Sequence, residues 1–167
     1  MEGNKKNKAR ALLVFGAPGS GKTTFAEKFA NKYGLAYYDL DLICEEHGFS
    51  STIMLDVLSL IARTHQSVVL EGLMNTEKER TELRNALRSA GYEPTLIWVQ
   101  TDFATIKMRL KKKYRSIAKA KEVYEQAVSM IEAPADFEKP VILSGKHTFE
   151  TQTRHALAGL AELDEAK

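Results

Sequence analysis

Short apolar runs alternate along the chain with longer segments in which apolar residues recur every three or four positions. The apolar runs predict five β-strands, at 10–15, 35–39, 67–70, 95–100 and 140–143. The segments between them predict helices at 22–33, within 42–64, at 76–90, from 102 past 110, up to about 134, and at 150–163. This alternation is typical of an α/β fold with a parallel sheet.

Size and composition indicate one globular domain. The chain has 167 residues, 44% of them hydrophobic, and a formal net charge of +2. We expect a basic flexible leader at 1–9 and a single domain at 10–167. The apolar runs are too short to cross a membrane, so we expect a cytoplasmic protein with no membrane partner. Cys44 is the only cysteine, which excludes an internal disulfide, and the four histidines lack metal-ligand spacing.

The first predicted strand runs directly into a complete G-x-x-x-x-G-K-[ST] motif. Glycines in such a loop let backbone N–H groups turn towards a phosphate chain, and the following helix presents its positive end to the same anion. The lysine adds a charge for the β- and γ-phosphates, and the next hydroxyl is placed to bind Mg²⁺. We therefore expect ATP and Mg²⁺ as cofactors, bound by Gly16, Ala17, Pro18, Gly19, Ser20, Gly21, Lys22, Thr23 and Thr24.

Acidic residues follow three other predicted strands, at the edge of a parallel sheet where ligands bind. Glu71 ends the third strand and is predicted to hold the metal with Thr23 and to face the substrate. Asp39 and Asp41 follow the second strand, and strand alternation predicts that both face the substrate from the same side. Asp41 is the candidate general base for an acceptor hydroxyl and Asp39 is its competitor, although either could instead cap the next helix. Asp102 is the predicted cap of the helix after strand four.

Eight basic residues and no acidic one lie between Lys107 and Lys121. Such a run is either a solvated helix face or a lid that brings cations over a nucleotide. In the lid interpretation, residues 109–119 cover the nucleotide, and Arg109, with Lys113 and Arg115, stabilises the transferring phosphoryl group. A second basic series, Arg80, Arg84 and Arg88, is predicted to lie on the solvated side of its helix.

Several segments occur in the order of a known family: the loop GAPGSGKTT, the strand end YDLD, VVLEG, WVQTD with Arg109 downstream, and the strand at 140–143. The chain resembles the small P-loop kinases of the adenylate-kinase-like group, most closely the polynucleotide-kinase-like and zeta-toxin-like ATP-binding domains. The resemblance implies a three-layer P-loop NTPase fold with a five-stranded parallel sheet in the order 2-3-1-4-5. It also implies that Asp41 is the acceptor-side aspartate, that a basic lid follows strand four, and that Ser144, Gly145 and Lys146 contact the adenine.

Together these features predict an ATP- and Mg²⁺-dependent phosphotransferase with Lys22, Asp41 and Arg109 as catalytic residues. Its hydroxyl acceptor stays open among a nucleic-acid 5′-hydroxyl, a nucleoside and a small metabolite. Ile43 and Cys44 stand where polynucleotide-kinase-like domains commonly have an arginine, and Arg63 is the only arginine between Leu42 and Asn75 for gripping a substrate phosphate. The alternative function is a nucleotide-binding regulatory or partner-binding protein that hydrolyses ATP slowly.

Overall fold

The computed structural model describes residues 8–165, so most of the predicted leader at 1–9 lies outside the described residues. The chain forms one five-stranded parallel sheet in the order β2-β3-β1-β4-β5. The strands are β1 (Arg10–Phe15), β2 (Ala36–Asp39), β3 (Val68–Glu71), β4 (Glu93–Gln100) and β5 (Val141–Ser144). The predicted α/β class and strand order are confirmed.

Seven helices connect and follow the strands within the described residues. They are α1 (Lys22–Tyr33), α2 (Leu40–His47), α3 (Ser51–Ala62), α4 (Glu77–Ser89), α5 (Phe103–Tyr114), α6 (Ile117–Met130) and α7 (Phe149–Glu165), with a short 3₁₀ turn at Asp136–Glu138. The helical region predicted within 42–64 is divided in two, because Gly48 adopts a left-handed conformation (φ 65°) and ends α2. The basic run is divided in the same way between α5 and α6, with Arg115 at the turn.

Alternating side chains of β1 point into two separate cores, which makes the fold three layers deep. Ala11, Leu13 and Phe15 face one core, which is completed by residues of α2, α3 and α4. Leu12 and Val14 face the opposite core against α1 and α7. The central strands are therefore buried on both faces, and their carboxyl ends meet at one edge of the sheet.

Side chains cap the first turns of most helices. At the starts of α2 to α6, backbone N–H groups donate hydrogen bonds to the side-chain oxygens of Asp39, Ser50, Thr76, Asp102 and Ser116. The predicted cap at Asp102 is confirmed. By contrast, α1 follows Gly21, which provides no side-chain cap, so the N-terminal amides of α1 stay free for another acceptor.

The prediction that Arg80 lies on a solvated helix face is wrong. Its side chain is completely buried, where it forms a two-point ion pair with Glu138. The physical reason is helical spacing: Arg80 precedes the buried Leu83 by three residues and Leu87 by seven, which puts it on the apolar face of α4. Arg84 is partly buried, and Arg88 alone of this series is exposed.

Helices α5 and α6 pack against each other at the carboxyl end of the sheet. Ile106, Leu110 and Ala120 form a small third core with Ala17 of the phosphate-binding loop. This core holds α5 against the loop. Across residues 8–165, no helix is long and apolar enough to cross a membrane. The thiol of Cys44 is free, as predicted, and lies partly buried in α2.

Candidate active site

The phosphate-binding loop lies between β1 and α1, at the carboxyl edge of the sheet. Gly21 takes up a left-handed conformation (φ 99°) at the start of α1, and Ser20 donates its N–H to Ala17 O at 3.0 Å. The predicted loop residues thus form one tight turn around the uncapped N-terminus of α1. Free amides and the positive end of the helix dipole make this turn suited to an anion.

Lys22, Thr23 and Glu71 form a polar cluster below the loop. Thr23 donates its hydroxyl to Glu71 Oε1 at 2.7 Å, and Lys22 Nζ lies 3.3 Å from the same oxygen. Glu71 is the last residue of β3 and only 3% exposed, so the sheet fixes its position. The structure therefore brings together three residues that the sequence placed in the phosphate and metal site.

Tyr37 completes this cluster, and the sequence interpretation missed it. Its hydroxyl donates to Glu71 Oε2 at 3.0 Å, so both oxygens of the carboxylate are engaged. Burial, followed by the nearby charge of Glu71, raises the pKa of Tyr37 well above its ordinary value. The phenol therefore stays protonated and acts as a fixed donor. The sequence offered one indication of this contact, because Tyr37 lies on the strand next to the one that ends at Glu71.

The donor set at Thr23 and Glu71 fits Mg²⁺. The hydroxyl and carboxylate oxygens are hard donors, and Mg²⁺ in kinase sites uses one or two such groups together with substrate phosphates. Glu71 Oε1 and Thr23 Oγ1 already lie 2.7 Å apart beside the loop. Within residues 8–165 there is no cluster of three or more His, Cys, Asp or Glu side chains with metal-binding geometry.

Asp39 and Asp41 have different surroundings, which separates two residues that the sequence left as competitors. Asp39 Oδ1 accepts the N–H of Leu42 at 3.1 Å and so caps α2. Asp41 lies in the first turn of the helix, because β2 ends at Asp39 and α2 begins at Leu40. The strand-alternation argument for these two residues is therefore wrong, and only Asp41 has a carboxylate that is not used as a cap.

The turn after β3 lies directly against Asp41. Leu73 donates its N–H to Asp41 Oδ1 at 2.9 Å. Gly72 (φ 90°) packs so closely that a Cβ there would lie 2.7 Å from the Asp41 carboxyl carbon. Although Asp41 as a whole remains accessible to solvent, partial desolvation of its carboxyl raises the pKa, and the Leu73 hydrogen bond opposes this effect. This carboxylate is thus oriented and more basic than an ordinary aspartate.

A cavity opens beside the phosphate-binding loop. It has a volume of about 420 Å³ and lies between the loop, α5 and the segment after β5. The side chains along it are those of Thr24, Lys28, Arg109, His147, Phe149 and Gln152. Lys28 and the last three were not predicted. His147, Phe149 and Gln152 follow the predicted adenine loop by only a few residues, which was the signal for them. Size and location suit a nucleobase attached to phosphates in the loop.

Arg109 joins the loop between β5 and α7, at 145–148 and called the base-side loop below, to the phosphate-binding loop. Its guanidinium donates to Gly145 O at 2.8 Å, Gly19 O at 3.1 Å and Ser20 O at 3.2 Å. Gly145 fits there because it has no side chain: a Cβ would lie 1.9 Å from Ser20 O. Lys146 Nζ pairs with Asp102 at 3.2 Å instead of facing the cavity. The hydrogen bonds from Thr105, followed by the contact with Lys146, lower the pKa of Asp102 to about 2.

The remaining basic residues of the predicted lid are exposed. Lys113 is in the last turn of α5, with its ammonium 5.5 Å from the Tyr114 ring centroid. Arg115 has a left-handed backbone conformation (φ 52°) and ends α5. Lys119 pairs with Glu122 and Lys121 with Glu125, so part of the basic run is neutralised on the surface of α6. Of this run, Arg109 is the residue that the fold anchors beside the loop.

Comparisons with known proteins agree with this geometry. A family model described as an AAA domain matches residues 12–137. A cytidylate kinase of Staphylothermus marinus is 31% identical over 97 residues, which covers 58% of this chain and 52% of that protein. The chain spans about half or less of the length of the curated relatives that it matches.

Solved structures show the same fold. A gluconokinase from Sinorhizobium meliloti 1021 is 18% identical, with 95% of each chain covered and a TM-score of 0.67. A sugar kinase from Janibacter sp. HTCC2649 is 20% identical, with 92% of this chain and 95% of that chain covered and a TM-score of 0.71. At such identities the likeness concerns the fold alone. The closer resemblance to polynucleotide kinase and zeta toxins stays a prediction.

Proposed function

The chain belongs to the AAA domain family and is a kinase-like P-loop NTPase, and from this premise we propose that it transfers the γ-phosphoryl group of ATP to a hydroxyl acceptor. The proposal divides the site into a phosphate and metal part, an acceptor part and a base part. Each part is formed at the carboxyl ends of different strands.

The phosphate part consists of the loop amides, Lys22, Thr23 and Glu71. The uncapped amides at the start of α1 and the Lys22 ammonium, which lies beside Glu71 in the structure, hold the β- and γ-phosphates. Thr23 and Glu71 are the residues that would hold Mg²⁺, and Tyr37 keeps Glu71 in place. A bound Mg²⁺ would neutralise negative charge on the phosphate oxygens.

The acceptor part is centred on Asp41. Its carboxylate is oriented by the Leu73 N–H and carries a raised pKa, which suits a group that accepts the proton of a hydroxyl. Asp39 serves to cap α2 and has no direct part in the reaction.

The base part consists of the cavity beside Arg109. The Arg109 guanidinium is placed to stack on a base and to hold the base-side loop against the phosphate-binding loop. Residues 109–119, with Lys113 and Arg115, act as the lid in this proposal, and their exposed cations are available to the transferring group.

One observation carries the proposal. Glu71 and Asp41 lie at the ends of neighbouring segments, yet Glu71 is hydrogen-bonded to Thr23 and ion-paired with Lys22, whereas Asp41 accepts its hydrogen bond from the Leu73 backbone. A protein that only binds or hydrolyses nucleotide has no need of the second carboxylate. This division of roles supports transfer to an acceptor.

The acceptor chemistry that the site favours is a hydroxyl without a phosphate nearby. A cytidylate acceptor would bring its own phosphate and would require cations beside Asp41. Arg63 is the only arginine between Leu42 and Asn75, and it ends α3 before β3 begins, at the opposite edge of the sheet from Glu71. A nucleoside or a small metabolite therefore fits better, while a nucleic-acid 5′-hydroxyl would bring the phosphates of its own strand.

Release of ADP from MgATP, measured over a panel of hydroxyl compounds, tests this function. We expect an acceptor to raise ADP release above the rate in water. Asp41→Asn should lower the acceptor-dependent rate by about 100-fold or more while ATP affinity is retained, because a positioned base contributes roughly 10²–10⁴-fold.

Asp39→Asn is the matched control. Asparagine caps helices about as well as aspartate, so this variant should keep both its stability and its activity. Normal turnover in Asp41→Asn, or loss of turnover in Asp39→Asn alone, would show that the base is assigned to the wrong residue. ADP release that no hydroxyl compound stimulates would instead favour the slow hydrolysis of a regulatory protein.

A further inference from the structure

Arg80 is a completely buried arginine with five polar contacts. Nε and Nη2 donate to the two oxygens of Glu138 at 2.8 and 2.9 Å. Nη1 lies within 3.3 Å of Met74 O, 3.2 Å of Asn75 O and 2.9 Å of Glu132 O. Its guanidinium carbon is also 5.1 Å from the ring centroid of Phe15, the last residue of β1 before the phosphate-binding loop. One side chain thus contacts three segments that are far apart in sequence.

The segment held at Met74 and Asn75 is the turn that contacts Asp41. Two successive residues of this turn have positive φ, Gly72 at 90° and Leu73 at 55°. A left-handed leucine is strained and persists only where surrounding contacts impose it. This conformation directs the Leu73 N–H to Asp41 Oδ1. Two of the three carbonyl groups that Arg80 binds, those of Met74 and Asn75, follow directly after the strained residue.

The partner, Glu138, lies in the segment that returns from α6 to β5. Glu138 Oε2 also accepts the N–H of Ala135 at 2.9 Å, and Glu132 N–H donates to Asn75 O at 2.8 Å. Burial raises the pKa of Glu138, but the bonds from Arg80 and Ala135 outweigh it, so the carboxyl stays ionised. The segment between α6 and β5 is therefore connected through Arg80 to the turn at 72–75, which contacts Asp41.

We propose that the Arg80–Glu138 pair is a positioning device for the reaction: it holds the turn at 72–75 so that the Leu73 N–H orients Asp41. Neither member touches Asp41, so both act through the backbone of the turn. The inference rests on the proposed role of Asp41. It goes beyond that role by assigning a function to two residues outside the nucleotide and acceptor sites.

A buried ion pair is poor evidence for stability alone. Replacing both members of such a pair by uncharged side chains of similar size is often neutral for folding, whereas removing one member leaves an uncompensated charge. A charge-free double substitution therefore separates a positioning role from a structural one. The other charged groups that act on Asp41 are Asp39, Lys22 and Glu71, and burial, followed by the charge of Asp41, raises the pKa of the Cys44 thiol. The double substitution leaves all four residues in place.

The test compares Arg80→Met/Glu138→Gln with the parent protein and with Arg88→Met, an exposed position on the same helix. Glutamine retains an oxygen for the Ala135 N–H. In the double variant we expect kcat to fall by about 10- to 100-fold, because small misplacements of a catalytic group have effects of this size. KM for ATP should stay within about twofold, since the phosphate-binding loop is unchanged. Arg88→Met should match the parent.

A ¹³C NMR titration of the Asp41 carboxyl gives a readout that does not depend on turnover. The Leu73 hydrogen bond lowers the pKa of Asp41, so its loss in the double variant should move the titration to higher pH, and the acid limb of kcat/KM should move with it. Should the double variant not fold, Arg80→Lys replaces it, since lysine keeps the charge but cannot bind two oxygens in a fork.

A folded double variant, or a folded Arg80→Lys protein, with unchanged kcat and an unchanged Asp41 titration would overturn the proposal. A shifted titration in a protein that transfers no phosphate to any acceptor would retain the positioning role and reject the kinase function. The two failures are thus distinguishable.

Discussion

Glu71 and Asp41 are two carboxylates at the same edge of the sheet, and their surroundings give them different tasks. Glu71 is buried and bonded to a cation and two hydroxyls, so it is fixed in position. Asp41 is accessible and oriented by one backbone N–H, and its pKa is raised. Pairs of acidic groups whose environments differ in this way are typical of enzymes that assign separate roles to each member.

Glu71→Gln tests the metal role. The amide keeps the size of the carboxylate but loses its charge, so we expect Mg²⁺ to strengthen ADP binding much less in this variant than in the parent. Calorimetric titration of ADP with Mg²⁺ or with EDTA measures the difference. Glu82→Gln, on the exposed face of α4, is the control. An undiminished Mg²⁺ effect in Glu71→Gln would mean that another residue holds the metal.

The pH dependence of stability tests the environment of Asp41. Its pKa is higher in the folded than in the unfolded chain, so between these two pKa values the folded protein holds a proton that the unfolded chain has released. The contribution of Asp41 to the free energy of unfolding therefore falls as pH rises through this window. Asp41→Asn removes that contribution, and we expect it to gain stability relative to the parent with rising pH.

Urea unfolding of both proteins over a pH series measures this difference. A variant that loses stability relative to the parent as pH rises would show that the surroundings of Asp41 favour its charged form. The catalytic counterpart is that kcat/KM should fall as pH drops through the raised pKa, because a protonated carboxyl cannot accept the hydroxyl proton.

At the scale of elements, the site depends on how closely the loops after β3 and β5 approach the phosphate-binding loop. The loop after β3 brings Leu73 to Asp41, and the loop after β5 brings Gly145 within the reach of Arg109 on α5. Thr101, after β4, also donates to Ser20 O at 2.9 Å. These hydrogen bonds between side chains and backbone groups hold the loops together without side chains from the nucleotide-binding motif.

Gly145→Ala tests the close approach of the base-side loop. A Cβ at this position would lie 1.9 Å from Ser20 O and 2.1 Å from Thr101 Oγ1, so the loop must move away from Arg109. We expect weaker binding of ADP as well as lower stability. Gly48→Ala is the control, because Gly48 is left-handed but has open space around it. That variant should lose stability with unchanged ADP affinity, and equal ADP affinity in both variants would contradict the account.

Much of this arrangement could be predicted from the sequence, because strand runs and the loop motif are local signals. The pattern of apolar runs predicted β1, α1 and the acidic residues that follow the strands. Glu71 ends β3, as its place after the apolar residues Val69 and Leu70 indicated. Asp39 and Asp41 could not be separated, because the first residue of α2 decides which one caps the helix. Gln152 and Tyr37 carry no motif, and only the packed fold brings them to the site.

At the scale of the whole molecule, five parallel strands bring residues from every part of the chain to one edge. Lys22, Asp41, Glu71, Arg109 and Gly145 are spread over more than 120 positions of the sequence, yet each lies just after or at the end of a strand, or on the helix that follows it. The partner of Arg80 could not be predicted from local sequence patterns. Its ion pair with Glu138 joins α4 to a segment 58 residues away, and no periodicity indicates that residue.

The destination of the γ-phosphoryl group tests the central claim most directly. ³¹P NMR of the protein with MgATP and a mixture of nucleosides, sugars, sugar acids and short oligonucleotides follows that group to its product. The account predicts a new phosphate monoester resonance that grows with ADP and is absent with Lys22→Ala. Growth of inorganic phosphate alone, with no monoester from any acceptor, would contradict it.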